Sequence, residues 1–340
     1  MSGKLIVSSS PHVGSKLTTQ TIMLHVIIAL AFPLVAGVVL YGLYSLLVVL
    51  LSVIAAVLAE MLFNLIRKKP QTVSDLSAVV TGMILGLNLP PTIPLYVPVV
   101  GSIFAIMIVK MLFGGLGKNF ANPAATARVF LLLSWAGPMT RFIAPVDYAA
   151  LGGKAFLTGL GVDAVTTATP LGAIKNAGLQ GIALSDVNLL DLFLGRIGGS
   201  IGEVCALAIL LGGIYLIVMK IIDFKIPLIY LAASAISALI FYKSGWTYVL
   251  PTLLSGGLLF AAFYMLTDYA SSPDTFWGTV IYAAGAGLMT VIIRRYGGYN
   301  EGASIAILLM NMLTPLLDKI TVPRPFGYRK PARAKKEGSK

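Results

Sequence analysis

Apolar residues fill ten runs along this chain, and short polar stretches separate them. Six runs are long enough for a helix to cross a hydrocarbon core, which takes about 20 residues: 21–42, 44–66, 94–114, 200–219, 226–243 and 276–293. The other four are shorter or interrupted by Gly, Asn or Pro, and we expect tilted or broken helices there: 75–89, 122–137, 248–267 and 301–317. The pattern predicts an all-α integral membrane protein with about ten transmembrane helices.

Composition supports this class. Hydrophobic residues make up 57% of the 340 positions and charged residues 11%, whereas soluble domains carry about 25% charged residues. The first apolar run, which follows the polar segment 1–20, is too long for the core of a signal peptide and no small-residue cleavage site follows it, so we expect this first span to remain in the mature protein.

Cysteine and histidine are nearly absent. The chain has one cysteine, Cys205, and two histidines, His12 and His25, so it cannot assemble a zinc or iron–sulfur ligand set by itself. We predict no metal site in this chain. Any redox centre must be organic or shared with a partner.

Lys and Arg indicate the orientation, because short cytoplasmic loops are enriched in them. Lys and Arg follow the second run at residues 67–69, flank the turn 220–225 and occur throughout the tail 319–340. If the chain crosses the membrane ten times, all these places lie on the same side as the N-terminus. We therefore expect cytoplasmic termini in an inner membrane and an extracytoplasmic loop at 138–199. Arg294 and Arg295 oppose this arrangement. The net charge of +12 fits an anionic leaflet better than nucleic acid.

The two halves of the chain resemble each other weakly. Residues 90–115 align without gaps on 273–298, with Pro90 on Pro273 and Thr92 on Thr275. The offset between the two aligned segments corresponds to five spans. Because five is odd, the second copy crosses the membrane in the opposite direction to the first. This predicts two inverted repeats of five helices, 21–137 and 200–318, a construction typical of channels and transporters.

A hydroxyl-rich octet, Asp-Ala-Val-Thr-Thr-Ala-Thr-Pro, occupies residues 163–170 of the predicted outer loop. Pro170 favours an extended conformation at Thr169, which would present the Thr169 hydroxyl to another molecule. The alternative is an ordinary Thr-rich turn whose hydroxyls bond to nearby backbone.

The octet resembles the flavinylation motif Asp-x-x-Ser/Thr-Gly/Ser-Ala-Thr of the NqrB/RnfD family. RnfD is a membrane subunit of the Rnf complex, a ferredoxin:NAD⁺ oxidoreductase, and NqrB is its relative in the Na⁺-translocating NADH:quinone reductase. Further resemblance lies in residues 77–91, 114–128 and 266–269, so it covers the whole chain. It implies an FMN joined to Thr169 by a phosphoester, with these neighbours around the attachment point: Asp163, Thr166, Thr167, Ala168 and Pro170. Thr167 stands where a smaller residue is usual.

The resemblance also implies a function and partners. The chain would relay electrons within an ion-translocating oxidoreductase and would not be a complete enzyme, and it would have no catalytic residue of its own. Its partners would be a second covalent-FMN subunit, membrane iron–sulfur subunits, subunits that interact with ferredoxin and NADH, and a flavin transferase acting outside the membrane. A second, noncovalent flavin such as riboflavin is a further expectation.

Asn122 and Arg128 are additional candidates for cofactor binding. Asn122 is a good N-cap residue with Pro123 at the first helical position, and a helix N-terminus can hold an anion or the polar edge of a flavin. The alternative is the turn into a membrane half-helix. Ionisable residues in or near the apolar runs indicate an ion path or buried pairs: Glu60, Asp75, Lys110, Arg128, Glu203, Asp268, Asp274 and Glu301.

Two other classes of function remain compatible with the residues alone. One is a channel or small-solute transporter that has the same inverted repeats and no redox cofactor. The other is a structural anchor that holds cytoplasmic partners through its basic tail.

Overall fold

The structure is a computed structural model that describes residues 18–145, 171–172, 174–175, 188–242, 245–299 and 301–323. Regular secondary structure in this part of the chain is all helical, as the sequence predicts. In the first half the helices are α1 (Thr19–Tyr41), α2 (Leu43–Ile66), α3 (Ser77–Leu87), α4 (Tyr96–Met111), α5 (Pro123–Ser134) and α6 (Ala136–Met139).

The second half begins with the short helix α7 (Leu189–Leu194) and continues with longer ones. These are α8 (Ala206–Val218), α9 (Lys225–Phe241), α10 (Val249–Leu254), α11 (Leu258–Met265), α12 (Phe276–Tyr296) and α13 (Ala303–Thr321). The ends of α4 and α11 are π-helical, at Phe104–Met111 and Ala261–Met265.

Four of the described helices, α1, α2, α12 and α13, are long and apolar enough to cross a membrane. A fifth candidate is the pair Trp246–Leu254 and Leu258–Met265, which bends by 67° at its break. The remaining apolar helices, α3, α4, α5, α8 and α9, have 10–17 residues. Several apolar helices in one chain indicate a multi-pass membrane protein.

The structure differs from the predicted segments in four places. The runs 94–114 and 226–243, expected to give full-length spans, form the shorter helices α4 and α9. The segment 301–317 is a continuous helix through Thr321 that includes Asn311 and Pro315, and the buried Asn311 side chain accepts a 2.6 Å hydrogen bond from Tyr282. The segment 200–219 is shorter than predicted, since α8 begins only at Ala206. The backbone N–H groups of Ile201 and Gly202 instead donate to the carbonyls of Leu89 and Leu87, at 3.0 and 2.7 Å.

Helix packing relates the two halves. Helix α1 packs on α8 and α5 packs on α13, while α2 packs on α3 and α4, and α9 packs on α10 and α12. Small residues allow the backbones to approach closely, as is usual between membrane helices. A Cβ added to Gly82 of α3 would lie 2.7 Å from Val53 Cα, and one on Gly287 of α12 would lie 2.7 Å from the carbonyl oxygen of Tyr230.

Candidate functional site

The larger cavity has a volume of about 290 Å³ and is lined by residues of α5 and of the segments that precede α8 and α13. Its wall includes Thr140 after α6, Ser200 before α8, Tyr299 after α12 and Leu171. A volume of this size is at the lower end of the range for small-molecule pockets, which is about 300–1,000 Å³.

Three ionisable side chains meet in the wall of this cavity. Arg128 of α5 lies between Glu203, which precedes α8, and Glu301, which precedes α13. Its Nη2 donates to Oε2 of Glu203 at 3.3 Å and also to Oε2 of Glu301. Its Nη1 donates to Ser304 Oγ at 3.0 Å and lies 2.8 Å from Oε1 of Glu203 without the alignment of a hydrogen bond.

The break between α10 and α11 lies against this cluster. Glu301 Oε1 accepts a 2.7 Å hydrogen bond from the N–H of Gly257, just before α11 begins. Arg294 of α12 donates from Nη1 to the Thr252 carbonyl and from Nη2 to the Ser255 carbonyl, at 2.7 and 3.1 Å. An anion therefore stabilises the free N–H at one side of the break, and a cation stabilises the free carbonyls at the other.

Arg294 also resolves a difficulty in the predicted orientation. Its side chain is 1% exposed and bonds to backbone, and Arg295 is 6% exposed with its guanidinium 5.2 Å from the ring centre of Tyr242. Charges buried inside the protein are not loop charges, so this pair is not evidence for a cytoplasmic loop.

A smaller cavity of about 70 Å³ lies at the turn into α5. Lys110 contributes to its wall and is buried in an ion pair with Glu60, at 2.8 Å from Nζ to Oε2. Lys110 also donates to Ser77 Oγ at 2.6 Å. Asp268, after the end of α11, lines the same cavity, and burial raises the pKa of its carboxyl group against the opposing hydrogen bonds from Ala270 and Ser271.

Asn122 is the N-cap of α5, as the sequence predicts. Its Oδ1 accepts hydrogen bonds from the N–H groups of Ala124 and Ala125, at 3.0 and 3.2 Å. Its Nδ2 donates to the carbonyl of Met265 at the end of α11, at 3.0 Å. Because its own side chain occupies the helix N-terminus, the geometry favours the turn into a half-helix over an anion site.

The predicted flavin site can be related to the described cavities only by its position in the sequence. Residues 163–170, which contain Asp163, Thr166, Thr167, Ala168, Thr169 and Pro170, lie outside the described residues. Leu171, two positions after Thr169, lies in the wall of the larger cavity and is 6% exposed. Arg128 lines the larger cavity and Asn122 the smaller one, so the structure does not bring these two candidates into one site.

Sequence reasoning identified the ionisable residues of the cluster but not their association. Glu203 and Glu301 lie 75 and 173 positions from Arg128. The signal present in the sequence is that each glutamate lies within the first four residues of an apolar run, 200–219 or 301–317. No group of three metal-ligating side chains occurs among the described residues.

Comparisons with known proteins identify the family. Residues 6–327 match the model of the NQR2, RnfD, RnfE family. The D component of a Na⁺-translocating ferredoxin:NAD⁺ oxidoreductase complex from Acetobacterium woodii is 49% identical, over 96% of both chains. A proton-translocating counterpart from Clostridium ljungdahlii is 40% identical over 95% of this chain and 96% of its own.

A more distant relative extends the agreement. The D component of an ion-translocating oxidoreductase complex from Escherichia coli is 34% identical, over 95% of this chain and 99% of its own length. The matches cover both halves of the chain and the residues around the two cavities. The chain therefore belongs to the NQR2, RnfD, RnfE family.

Proposed function

We propose that this chain is the RnfD subunit of an ion-translocating ferredoxin:NAD⁺ oxidoreductase complex. The observation that carries the proposal is the similarity to the D components of such complexes over nearly the full length of both chains. The chain would act only within the complex. Its single cysteine leaves iron–sulfur chemistry to partner subunits.

The electron carrier in this proposal is an FMN bound to Thr169 through a phosphoester. The sequence motif at 163–169 supports it. A flavin supplies one-electron and two-electron chemistry, which suits a relay between iron–sulfur centres and a nicotinamide carrier. Asp163 would orient the Thr169 hydroxyl or bind the metal used during attachment by a transferase.

The larger cavity offers surroundings that fit such a group. Leu171, two positions after Thr169 in the sequence, lies in its wall. The wall combines apolar side chains such as Leu132 and Phe142 with the guanidinium of Arg128. The apolar residues would exclude water from a bound flavin, while the charge of Arg128 is already balanced by Glu203 and Glu301.

The smaller cavity does not fit a second flavin as it stands. Its volume of about 70 Å³ is far below the range of small-molecule pockets, and Asn122 has both ends of its amide engaged. We derive no electron-transfer step through a noncovalent flavin at this position.

The proposed topology has ten spans in two inverted repeats, with cytoplasmic termini and the loop 138–199 on the outer face. Helix packing supports it, because the first helices of the two repeats, α1 and α8, pack together, and so do the fifth helices, α5 and α13. The third element is short in one repeat and broken in the other, at α3 and at α10 with α11. Such elements meet where backbone faces protein instead of lipid.

Electron transfer would be coupled to transport of Na⁺ or H⁺, the two ions that the names of the relatives give. The partners would be the other subunits of the complex, including a second covalent-FMN subunit, iron–sulfur subunits and subunits that interact with ferredoxin and NADH. The basic tail from residue 319 would lie at the inner leaflet.

In-gel fluorescence tests the cofactor and its site. The chain is produced with and without a flavin transferase, denatured, and separated by electrophoresis. We expect a fluorescent band at 35.9 kDa only with the transferase, and expect Thr169→Ala to abolish it while Thr166→Ala retains it. A dark wild-type band beside a functioning transferase would favour the alternative of a channel or transporter without a redox cofactor.

A further inference from the structure

Glu203 and Glu301 share the guanidinium of Arg128: Nη1 lies 2.8 Å from Oε1 of Glu203, and both carboxylates meet at Nη2. Nη2 of Arg128 donates to Oε2 of both carboxylates. The side chains of Arg128, Glu203 and Glu301 are 7%, 2% and 20% exposed. Two ionised carboxylates beside one guanidinium would leave an excess negative charge with little water to solvate it, and such pairs resist ionising together.

The other oxygens of the two carboxylates also approach each other. A Cβ placed on Gly257 would lie 2.5 Å from Oε1 of Glu203 and 2.7 Å from Oε1 of Glu301, so these oxygens are no more than about 5 Å apart. Oε1 of Glu301 accepts the N–H of Gly257. Oε1 of Glu203 is buried and has no hydrogen-bond partner among the described residues. It lies 2.8 Å from Nη1 of Arg128 but out of line with an N–H, so a carboxyl O–H of Glu301 can donate to it.

The surroundings supply few other charges. Arg294 of α12 is a second cation whose charge acts on Glu301, although its Nη1 and Nη2 donate to two backbone carbonyls and not to a carboxylate. Tyr41 of α1 lies nearby and hydrogen-bonds to the backbone of Ile197 and Gly199. Ser304 of α13 accepts from Arg128 at 3.0 Å. Arg128 is thus the guanidinium that contacts both carboxylates directly.

We propose that Glu203 and Glu301 together form a proton-binding site, in which one exchangeable proton is shared between the two carboxyl groups. With the proton bound, one carboxyl O–H donates to the neighbouring carboxylate, and the single remaining negative charge is balanced by Arg128. On release, the O–H bond breaks and the proton passes to water in the larger cavity, which both glutamates line. The site does not depend on whether a flavin is bound at Thr169.

Glu60 provides a matched comparison within the same chain. It is as buried as Glu203, but it has Lys110 to itself, with Nζ 2.8 Å from Oε2. Thr72 donates to its other oxygen at 2.5 Å. One carboxylate beside one ammonium leaves no excess charge.

Infrared spectroscopy of the full-length chain in lipid nanodiscs tests the proposal. A protonated carboxyl group gives a carbonyl stretching band that shifts in D₂O, and wild-type-minus-variant difference spectra at neutral pH isolate the band of one site. We expect Glu203→Gln and Glu301→Gln each to abolish the same band, because the carboxyl group left behind ionises beside Arg128. Glu60→Gln should leave the band unchanged.

The outcomes distinguish a proton shared by both glutamates from a proton bound by only one of them and from no bound proton. Loss of the band in only one of the two variants would overturn sharing, and its persistence in both would overturn the site. Size-exclusion chromatography and circular dichroism verify that the variants are folded. If a variant does not fold, the wild-type band itself remains a test, since it must weaken as the pH is raised while the protein stays folded.

Discussion

Arg294 and Glu301 stabilise opposite sides of the same helix break. Arg294 donates to the carbonyls of Thr252 and Ser255 at the end of α10, and Glu301 accepts the N–H of Gly257 at the start of α11. In a membrane protein a broken helix is tolerated only where the protein satisfies the freed backbone groups. The two side chains make the 67° bend possible without exposing backbone to lipid.

Replacement of Arg294 should therefore destabilise the fold. Arg294→Met leaves two buried carbonyls without donors, and we expect a loss of about 3–5 kcal/mol in the free energy of unfolding. Unfolding followed by circular dichroism in mixed detergent micelles measures it. Arg67→Met, at the exposed end of α2, is the control and should change stability little. Equal stability of both variants would contradict the role of Arg294 at the break.

Gly257 keeps the space that the two glutamates occupy. In Gly257→Ala the added methyl group would overlap Oε1 of Glu203 and Oε1 of Glu301, so both carboxylates must move. We expect a cost of about 1–3 kcal/mol. Gly298→Ala, in the wall of the same cavity and with no atom within 4 Å of the new Cβ, should be nearly neutral. The same unfolding measurement compares the two alanine variants.

Removing one partner of the Lys110–Glu60 ion pair should lower the free energy of unfolding strongly, whereas replacing both partners by apolar residues should lower it little. Lys110→Met leaves Glu60 buried without its cation, which we expect to cost about 3–5 kcal/mol. The double variant Lys110→Met/Glu60→Leu removes both charges and should recover most of that loss. A double variant less stable than Lys110→Met would show that Glu60 stabilises the fold by more than neutralising the charge of Lys110.

Asn122 combines two contacts that substitutions can separate. Asn122→Ser keeps a hydroxyl that can cap α5 but loses the donor to the Met265 carbonyl, whereas Asn122→Ala loses both. We expect Ala to cost about 1 kcal/mol more than Ser, the usual value of an N-cap. Thermal unfolding of the two variants provides the comparison. If they unfold at the same temperature, the capping bonds contribute nothing measurable.

Cysteine labelling tests the proposed orientation. In a Cys205→Ser background, Thr140→Cys places a thiol after α6 and Lys225→Cys places one at the start of α9, both at exposed positions. A membrane-impermeant maleimide should label the first in spheroplasts and the second only after permeabilisation. The reverse pattern would place the loop 138–199 in the cytoplasm and would contradict the orientation read from Lys and Arg.

The sequence by itself determined the class of the protein and much of its local structure. Apolar runs located the helices because the lipid requires about 20 apolar residues for a span. Asn122 followed by Pro123 predicted the start of α5, and the Ser-Gly-Gly at 255–257 agrees with the break after α10. These features depend on neighbouring residues, so they can be read locally.

Only the tertiary structure decided which helices are interrupted and which charges meet. Helix α13 runs through Asn311, whose side chain accepts a hydrogen bond from Tyr282 of α12, and α8 starts late because residues 201–202 bond to the end of α3. Arg128, Glu203 and Glu301 come from three distant parts of the chain, and the packing of α5 on α13 brings them together. Contacts of this kind have no period or spacing in the sequence, because they are set by how the helices pack.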